Sequence, residues 1–243
     1  MFTHPIDTNG HFSIDGINFR IDLRPGNQRA LSDGDAFTIV KSKTFLDIYA
    51  DLSSRIQPKS ILELGIFQGG GYMLLDKLFR PERMSAVDIS PKPIVPLMDY
   101  IARTPGRSAH FNTSQDDATA LRRIIEKDLD GRLDMVVDDA SHLYELTKGS
   151  FEILFPLLPV GGIYVIEDWA WSHQLPYQGP NATWHDQTAM STLIMQLVAV
   201  LGSYGAIQKI EVHRPFVVVT RGPGDADDVF AKMLTRGKTF PHL

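Results

Sequence analysis

The sequence of 243 residues contains no cysteine. That absence excludes disulfide bonds, thiolate metal ligands and a cysteine nucleophile, and it fits the reducing interior of a cell. Long runs of basic residues are also missing, and the formal net charge is −5, so the chain lacks the basic footprint of a nucleic-acid-binding protein. We therefore expect a cytoplasmic protein whose partners do not include nucleic acid.

Long uninterrupted apolar runs are missing too. The most apolar stretch, 151–166, is broken by two prolines and two glycines and is too short to cross a bilayer as a helix. The first 30 residues show no apolar core of the kind found in secretory signals. These features predict a protein without a membrane span or a secretory signal.

What the sequence does contain is a change of periodicity along the chain. Apolar residues alternate with polar ones around the Asp15-Gly16 turn, which predicts a hairpin from about 12 to 23. Ser32 or Asp33 is a candidate N-cap for a helix that would run to about Arg55. Beyond that point, short apolar runs alternate with helical segments, a pattern typical of a parallel sheet with crossover helices.

We therefore expect an α/β fold with a doubly wound, Rossmann-like sheet of seven strands, mostly parallel with an antiparallel last strand. The predicted strands cover 60–64, 84–88, 108–112, 133–138, 162–167, 207–213 and 216–221. The predicted helices that follow the first one cover 71–80, 93–103, 116–128, 142–157 and 186–202.

A glycine-rich turn follows the first strand of this predicted sheet. Residues 63–71 lead from an apolar strand into Gly65, Gly69 and Gly70, which leaves bare backbone for a ligand to approach. The next strand ends at Asp88, whose carboxylate can accept hydrogen bonds from both hydroxyls of a ribose. An ordinary strand-to-helix turn and a dinucleotide site remain as alternatives, although the spacing G-x-G-x-x-G is not matched.

This loop resembles the first motif, E-x-G-x-x-x-G, of the class I S-adenosylmethionine-dependent methyltransferases. The resemblance implies S-adenosylmethionine as the cofactor, with the loop at its methionine part and Asp88 at its ribose. Together with the predicted hairpin, it leads us to expect an N-terminal hairpin and arm over 1–35 and one methyltransferase domain over 36–243. The cofactor-binding residues that it implies are Glu63, Gly65, Gln68, Gly69, Gly70, Asp88, Ser114, Gln115, Asp116 and Asp138.

Acidic segments follow the fourth and fifth predicted strands, which should open on one crevice. Asp139, Glu167 and Asp168 would then converge, and three carboxylates repel one another unless a cation lies between them. Mg²⁺ prefers such oxygen ligands and would make a bound hydroxyl more acidic. His142 lies three residues after Asp139 and is a candidate general base. Each residue alone also has an ordinary alternative, as a helix cap, a solvated loop acid or a structural histidine.

The same segments resemble the Mg-dependent macrolide-sugar and rhamnosyl-type O-methyltransferases. The resemblance covers about 130–171 and rests on D-D-A-S-H, F-x-x-L-F-P-x-L and G-G-x-Y-x-I-E-D-W. It implies that Asp139, Glu167 and Asp168 hold Mg²⁺, that His142 is the base, and that the acceptor is a sugar or glycoside. Enzymes of this kind usually associate, so we expect a homodimer or a larger oligomer, with the hairpin edge available for pairing.

A loop at about 169–186 contains all three tryptophans and is expected to cover the site as a lid. Trp169 and Tyr177 are candidate substrate contacts, since aromatic rings pack on the C–H faces of sugars; anchoring of the loop to the core is the alternative. Two other functions share this fold. One is a catechol-like O-methyltransferase on an aromatic diol, and the other resembles the cephalosporin hydroxylase-associated protein, which acts with a partner subunit.

Overall fold

The computed structural model describes residues 1–182 and 184–234. The chain begins with a small three-stranded sheet made of β1 (His11–Ile14), β2 (Ile17–Ile21) and β3 (Phe37–Ile39). β1 and β2 are antiparallel, whereas β3 pairs with β2 in parallel. Their turn has φ of 47° at Asp15 and 77° at Gly16, as a two-residue type I′ turn requires. The predicted hairpin is confirmed.

The first long helix starts later than predicted. α1 (Lys43–Arg55) begins after Ser42 and ends where expected. Neither proposed cap lies at its start, because both are engaged elsewhere. The Asp33 carboxylate accepts hydrogen bonds from the amides of Asp35 and Ala36 in a local turn. The Ser32 hydroxyl donates to the backbone carbonyl of Gln68 at 2.6 Å.

The remaining elements form the large sheet and its covering helices. In chain order they are β4 (Ser60–Leu64), α2 (Gly70–Phe79), β5 (Arg83–Asp88), α3 (Val95–Arg103), β6 (Arg107–Phe111), α4 (Ala118–Asp128), β7 (Met135–Asp138), α5 (Tyr144–Leu154), β8 (Ile163–Glu167), α6 (Met190–Ser203), β9 (Ile207–Val212), β10 (Phe216–Arg221) and α7 (Val229–Leu234).

The strand order in this sheet is β6-β5-β4-β7-β8-β10-β9. The first five strands are parallel, and β10 runs antiparallel to both of its neighbours. The predicted fold class is therefore confirmed. All residues of β4, β7 and β8 are buried, as expected for central strands covered on both faces. The strand order reverses beside β4, so a crevice forms at the carboxyl ends of β4 and β7.

Two hydrophobic layers cover the two faces of the sheet. One contains α4, α5 and α6, with Phe151, Phe155 and Leu197 fully buried. The other contains α1, α2 and α3 and continues into the small sheet, where Phe12 and Phe19 stack with ring centroids 4.8 Å apart. The N-terminal hairpin thus shares a core with the main sheet. Within the described residues, no helix is both long and apolar enough to cross a membrane.

Candidate active site

The crevice holds a cavity of about 740 Å³. It lies at the reversal of strand order, where doubly wound sheets bind ligands. Its wall combines polar groups from strand ends with apolar side chains at the rim, a mixture that suits a nucleoside-sized ligand. Residues of the wall include Leu31, Ser32, Gly65, Gln68, Asp88, Ile89, Ile94, Ser114, Gln115 and Ser141. Five of the predicted cofactor residues are among them: Gly65, Gln68, Asp88, Ser114 and Gln115.

The glycines of the loop are required by close backbone packing. Gly65 has φ of 93°, and a Cβ there would lie 2.2 Å from the backbone oxygen of Asp139. A Cβ on Gly70 would lie 2.2 Å from the backbone oxygen of Thr38. Gly69 also has positive φ and faces the side chain of Leu97 instead of the large cavity. The loop therefore packs tightly on both neighbouring segments, and of these three glycines only Gly65 reaches the large cavity.

Asp88 organises the loop through its carboxylate. Oδ2 accepts hydrogen bonds from the amides of Ile66 and Phe67 at 2.8 and 2.9 Å. Oδ1 accepts one from the amide of Ser90 at 2.7 Å. A carboxylate offers about four acceptor positions, so one remains, on Oδ1. Asp88 lines the large cavity and keeps acceptor capacity there, so its predicted contact with the ribose hydroxyls remains a prediction.

Five of the ten predicted cofactor residues do not line the large cavity: Glu63, Gly69, Gly70, Asp116 and Asp138. Asp138 is 2% exposed and accepts hydrogen bonds from Ser150, Tyr164 and Gln115. Burial raises its pKa to about 6, although the bonds from Ser150 and Tyr164 oppose the rise. Asp116 accepts a hydrogen bond from Ser114 at 2.5 Å. Asp138 is the last residue of β7, and its side chain points into the core. There it takes part in an internal hydrogen-bond network instead of lining the cavity where the cofactor contact was expected.

A second cavity of about 160 Å³ adjoins the first. Both are lined by Gly65, Phe67, Asp139 and Ala140. The smaller cavity is further lined by Arg29, Lys41, Glu63, Gly70, His142, Asp168 and Trp171. A ligand in the large cavity can therefore meet a second molecule in the small one, at the end of β7.

Three groups in the small cavity have the chemistry of a metal site. One ligand atom each from Asp139, His142 and Asp168 lie within 4.8 Å of one another. The Nε2 atom of His142 is 3.8 Å from Asp139 and 3.9 Å from Asp168. A hydrogen bond to the backbone of Glu167 fixes the His142 ring, and burial lowers its pKa, although the charge of Asp139 opposes the fall.

Glu167, the remaining predicted metal ligand, has other partners. Its Oε1 accepts a hydrogen bond from the Tyr49 hydroxyl at 2.5 Å, and its Oε2 contacts the ammonium of Lys41. The same ammonium lies 2.8 Å from Oδ2 of Asp139. Glu167 thus lies beside Lys41 and shares that lysine with Asp139, and its role as a metal ligand remains a prediction. Burial opposes the charge of Lys41, but Asp139 and Glu167 outweigh that effect and raise its pKa.

The residues present fit a divalent cation. Burial raises the pKa of Glu167 and of Asp168, and the charge of Asp139 adds to the rise while Lys41 opposes it. One ammonium therefore does not compensate these carboxylates. Glu63, at 1% exposure, adds an Oε2 atom without a hydrogen-bond partner beside the same cavity, and burial raises its pKa well above the usual range. Carboxylate oxygens with uncompensated charge are what Mg²⁺ binds.

The chain is similar in sequence to curated sugar O-methyltransferases over part of its length. No family model matches the chain. The 8-demethyl-8-(2-methoxy-alpha-L-rhamnosyl)-tetracenomycin-C 3'-O-methyltransferase of Streptomyces olivaceus is 38% identical over 136 residues, which is 53% of this chain and 32% of that protein. The L-olivosyl-oleandolide 3-O-methyltransferase of Streptomyces antibioticus is 40% identical over 87 residues, 36% of this chain and 22% of that protein. The matches thus span at most about a third of these relatives.

Solved structures show the same architecture. The MycE methyltransferase from the mycinamycin biosynthetic pathway, in complex with Mg, SAH and mycinamycin VI, has a TM-score of 0.54 at 24% identity, over 76% of this chain and 50% of that one. The O-methyltransferase TomG from Streptomyces achromogenes, in complex with SAM, has a TM-score of 0.52 at 15% identity, over 77% and 84%. The chain has a class I methyltransferase fold. The predicted resemblance to sugar O-methyltransferases is also confirmed by the curated relatives.

Within this methyltransferase fold, the aromatic loop contributes different residues than expected. Trp171 lines the small cavity, and its ring lies 4.6 Å from that of His142. The ring of Tyr177 stacks on that of Trp171, with the two ring centroids 5.5 Å apart. The indole of Trp184 donates to the backbone oxygen of His142. Trp169 instead donates to the backbone oxygen of His213 and packs on the core, so it anchors the loop. The substrate contacts expected of Trp169 and Tyr177 remain predictions, and of the aromatic loop residues Trp171 is the one that lines the small cavity.

Sequence reasoning missed three residues of the small cavity. Trp171 was present in the aromatic loop but was not singled out. Arg29 and Lys41 lie in the N-terminal segment, for which only a hairpin and a helix cap were predicted. The one available signal was the pair of apolar residues before Lys41, which is compatible with a short buried strand. That segment is held against the loop by Ser32, whose amide donates to Oε1 of Gln68.

Proposed function

We propose that this protein is an O-methyltransferase that transfers a methyl group from S-adenosylmethionine to a hydroxyl of a sugar or glycoside, with Mg²⁺ as the metal ion. The observation that carries the proposal is the junction of the two cavities. The large cavity has the size for a nucleoside, and it shares Asp139 with the small cavity, which is also lined by Asp168 and His142. The curated relatives, named as methyltransferases of rhamnosyl and olivosyl groups, support the same acceptor class.

The residues would divide the work as follows. Gly65, Gln68 and Asp88 would position the methionine and ribose parts of the methyl donor. Ser114 and Gln115 would lie at its adenine end. S-adenosylmethionine supplies a reactive methyl group, and Mg²⁺ would lower the pKa of an acceptor hydroxyl.

On the acceptor side, Asp139, Glu167 and Asp168 would hold the metal ion. His142 takes the proton from the acceptor hydroxyl, because its Nε2 faces the carboxylates and its lowered pKa keeps it unprotonated near neutral pH. Trp171 offers a ring face for the apolar side of the acceptor. Alignment of donor and acceptor in adjoining cavities would provide much of the rate, by proximity.

The test is an acceptor screen with methyl-labelled S-adenosylmethionine. Rhamnosides and other 6-deoxyhexosides, with their free hydroxyls, would be compared with catechol, each with and without EDTA. Transfer to a glycoside that stops on chelation supports the proposal. Transfer only to catechol would assign the protein to the aromatic alternative, and no transfer with bound S-adenosylhomocysteine would point to a different acceptor class or a missing partner subunit.

We further propose a homodimer or larger oligomer. The support is that β1 forms an edge of the small sheet and can pair with another strand. Light scattering at working concentration would measure the mass, and a monomer would rule the proposal out.

A further inference from the structure

Arg29 is a cationic residue on the wall of the small cavity. It belongs to the segment before β3, is half-buried, and lines the cavity together with Phe67. Its Nε atom donates a hydrogen bond to the backbone oxygen of Arg24 at 2.7 Å, and its guanidinium lies over the Phe67 ring, 5.6 Å from the centroid. Among the described residues, no carboxylate forms a salt bridge with this guanidinium, so its remaining N–H groups are available to a ligand.

The segment that carries Arg29 is fixed on the cofactor loop. The buried carboxylate of Asp22 accepts a hydrogen bond from the amide of Ala30 at 2.8 Å. Ser32 then bonds to Gln68 twice, through its amide to Oε1 and through its hydroxyl to the backbone oxygen. Arg29 is thus oriented before a ligand arrives, which reduces the conformational entropy lost on binding.

The start of α2 adds a second feature that favours a negative charge. Gly70 and Gly71 are the first residues of this helix, and both line the small cavity. The first amides of a helix have no acceptor within it, and the helix dipole places a partial positive charge there. Arg29 and the start of α2 therefore offer N–H donors to an anion in the same cavity.

Glu63 gives this cavity a place for a positive charge. It is 1% exposed, and its Oε2 atom has no hydrogen-bond partner among the described residues. Its Oε1 atom lies beside the start of α2, since a Cβ on Gly71 would be 2.5 Å from it. A buried carboxylate oxygen without a donor is costly, and the ammonium of a ligand would supply one. The cavity thus combines donors for an anion with an acceptor for a cation, as the two charged groups of an amino acid require.

We propose that Arg29, together with the start of α2, binds the carboxylate of the methionine part of S-adenosylmethionine, while Glu63 faces its ammonium. This inference rests on the proposed function, since it concerns the methyl donor of that reaction. Gly65 and Phe67 line both cavities, so a donor whose nucleoside lies in the large cavity can extend its methionine part into the small one. The guanidinium of an arginine presents a fork of N–H donors that matches the two oxygens of a carboxylate. The N-terminal segment is then part of the cofactor site.

The experiment is calorimetry on the purified full chain with S-adenosylmethionine and with decarboxylated S-adenosylmethionine, without acceptor or metal ion. The two ligands share the nucleoside, the sulfonium and the ammonium, and they differ only in the carboxylate. Arg29→Met and Arg29→Lys are compared with the unmodified protein, and Arg103→Met is the matched control. Arg103 also donates from Nε to a backbone oxygen, that of Asp99, but it is exposed at the end of α3 and lines neither cavity.

We expect the unmodified protein to bind S-adenosylmethionine at least about tenfold more tightly than the decarboxylated ligand. Arg29→Met should lose about 10- to 100-fold in affinity for S-adenosylmethionine and at most about threefold for the decarboxylated ligand, because only the contact with the carboxylate is removed. Arg29→Lys keeps the charge but not the fork, so it should keep part of the preference. Arg103→Met should bind both ligands like the unmodified protein.

Equal weakening of both ligands by Arg29→Met would show that Arg29 only supports the loop. Unchanged binding of both ligands would show that Arg29 does not contact the donor, and a raised KM for a carboxylate-bearing acceptor in that variant would place it on the acceptor side. Each of these results overturns the inference and leaves the proposed function standing. An unmodified protein that binds neither ligand would overturn the methyl-transfer function together with the inference.

Discussion

Replacing Asp88 with alanine should weaken cofactor binding and destabilise the protein together. The carboxylate accepts hydrogen bonds from three amides and has one acceptor position left for the cofactor. In the variant, the amide of Ile66, a residue that is 2% exposed, loses its acceptor. The amides of Phe67 and Ser90 belong to more exposed residues, where water can replace the carboxylate in part.

The expected size follows from these contacts. A buried amide without an acceptor costs roughly 1–3 kcal/mol, and the two partly exposed amides add less, so we expect a loss of about 2–4 kcal/mol in the free energy of unfolding. For a domain of this size that corresponds to a fall in Tm of roughly 4–16 °C. Loss of one hydrogen bond from a ribose hydroxyl to an ionised acceptor should weaken S-adenosylhomocysteine binding by about 10- to 150-fold.

Calorimetry would measure the binding constant for S-adenosylhomocysteine, and thermal unfolding without ligand would measure Tm. Asp99→Ala is the matched control, since Asp99 is an exposed aspartate on the outer side of α3. If Asp88→Ala binds S-adenosylhomocysteine within twofold of the unmodified protein and melts within about 1 °C of it, the loop does not depend on this carboxylate and the reasoning fails.

Three further outcomes are expected. EDTA should abolish methyl transfer and added Mg²⁺ should restore it; full activity in EDTA would make the acidic cluster structural. His142→Ala should cut turnover by about 10²-fold or more while Mn²⁺ binding stays within a few-fold, and a parallel loss of Mn²⁺ binding would make His142 a ligand instead of the base. Trp171→Ala should raise the KM for the acceptor with little change in Tm. Trp169→Phe loses the hydrogen bond to His213, so it should lower the free energy of unfolding by about 1 kcal/mol and leave KM unchanged. The reverse pattern would contradict the roles given to the two tryptophans.

The sheet could be predicted because its strands carry a local signal. β4, β7 and β8 are buried on both faces, so each is a short apolar run bounded by polar or glycine residues. The strand ends could be predicted as site positions for the same reason, since parallel strands bring their carboxyl ends to one edge. Asp88, Asp139 and Asp168 were found in this way.

Lys41 could not be predicted, because its environment is created by the fold. Its partners Asp139 and Glu167 are 98 and 126 residues away in the sequence, and no periodicity connects them. A lysine next to Ser42 and Lys43 is typical of a solvated turn. Similarly, the side chain of Asp138 is directed by the pleat of β7 into the core, while that of Asp139 is directed to the cavity. Adjacent acids therefore have different roles that their identity does not reveal.

Three residues of the small cavity have left-handed backbone conformations, which their sequence does not predict. Phe67, His142 and Asp168 all line it, and their φ values are 48°, 55° and 53°. Left-handed backbone costs a residue with a side chain roughly 1–2 kcal/mol, and glycine would avoid most of that cost. His142 and Asp168 are nonetheless not glycine, so their backbone strain is retained. The strained backbone directs the imidazole and the carboxylate into the small cavity. The amide of Asp168 bonds to the carbonyl of Pro215 at 2.9 Å, which helps to offset the cost. Strain of this kind concentrates at functional sites, and here it coincides with the group of atoms that could bind a metal ion.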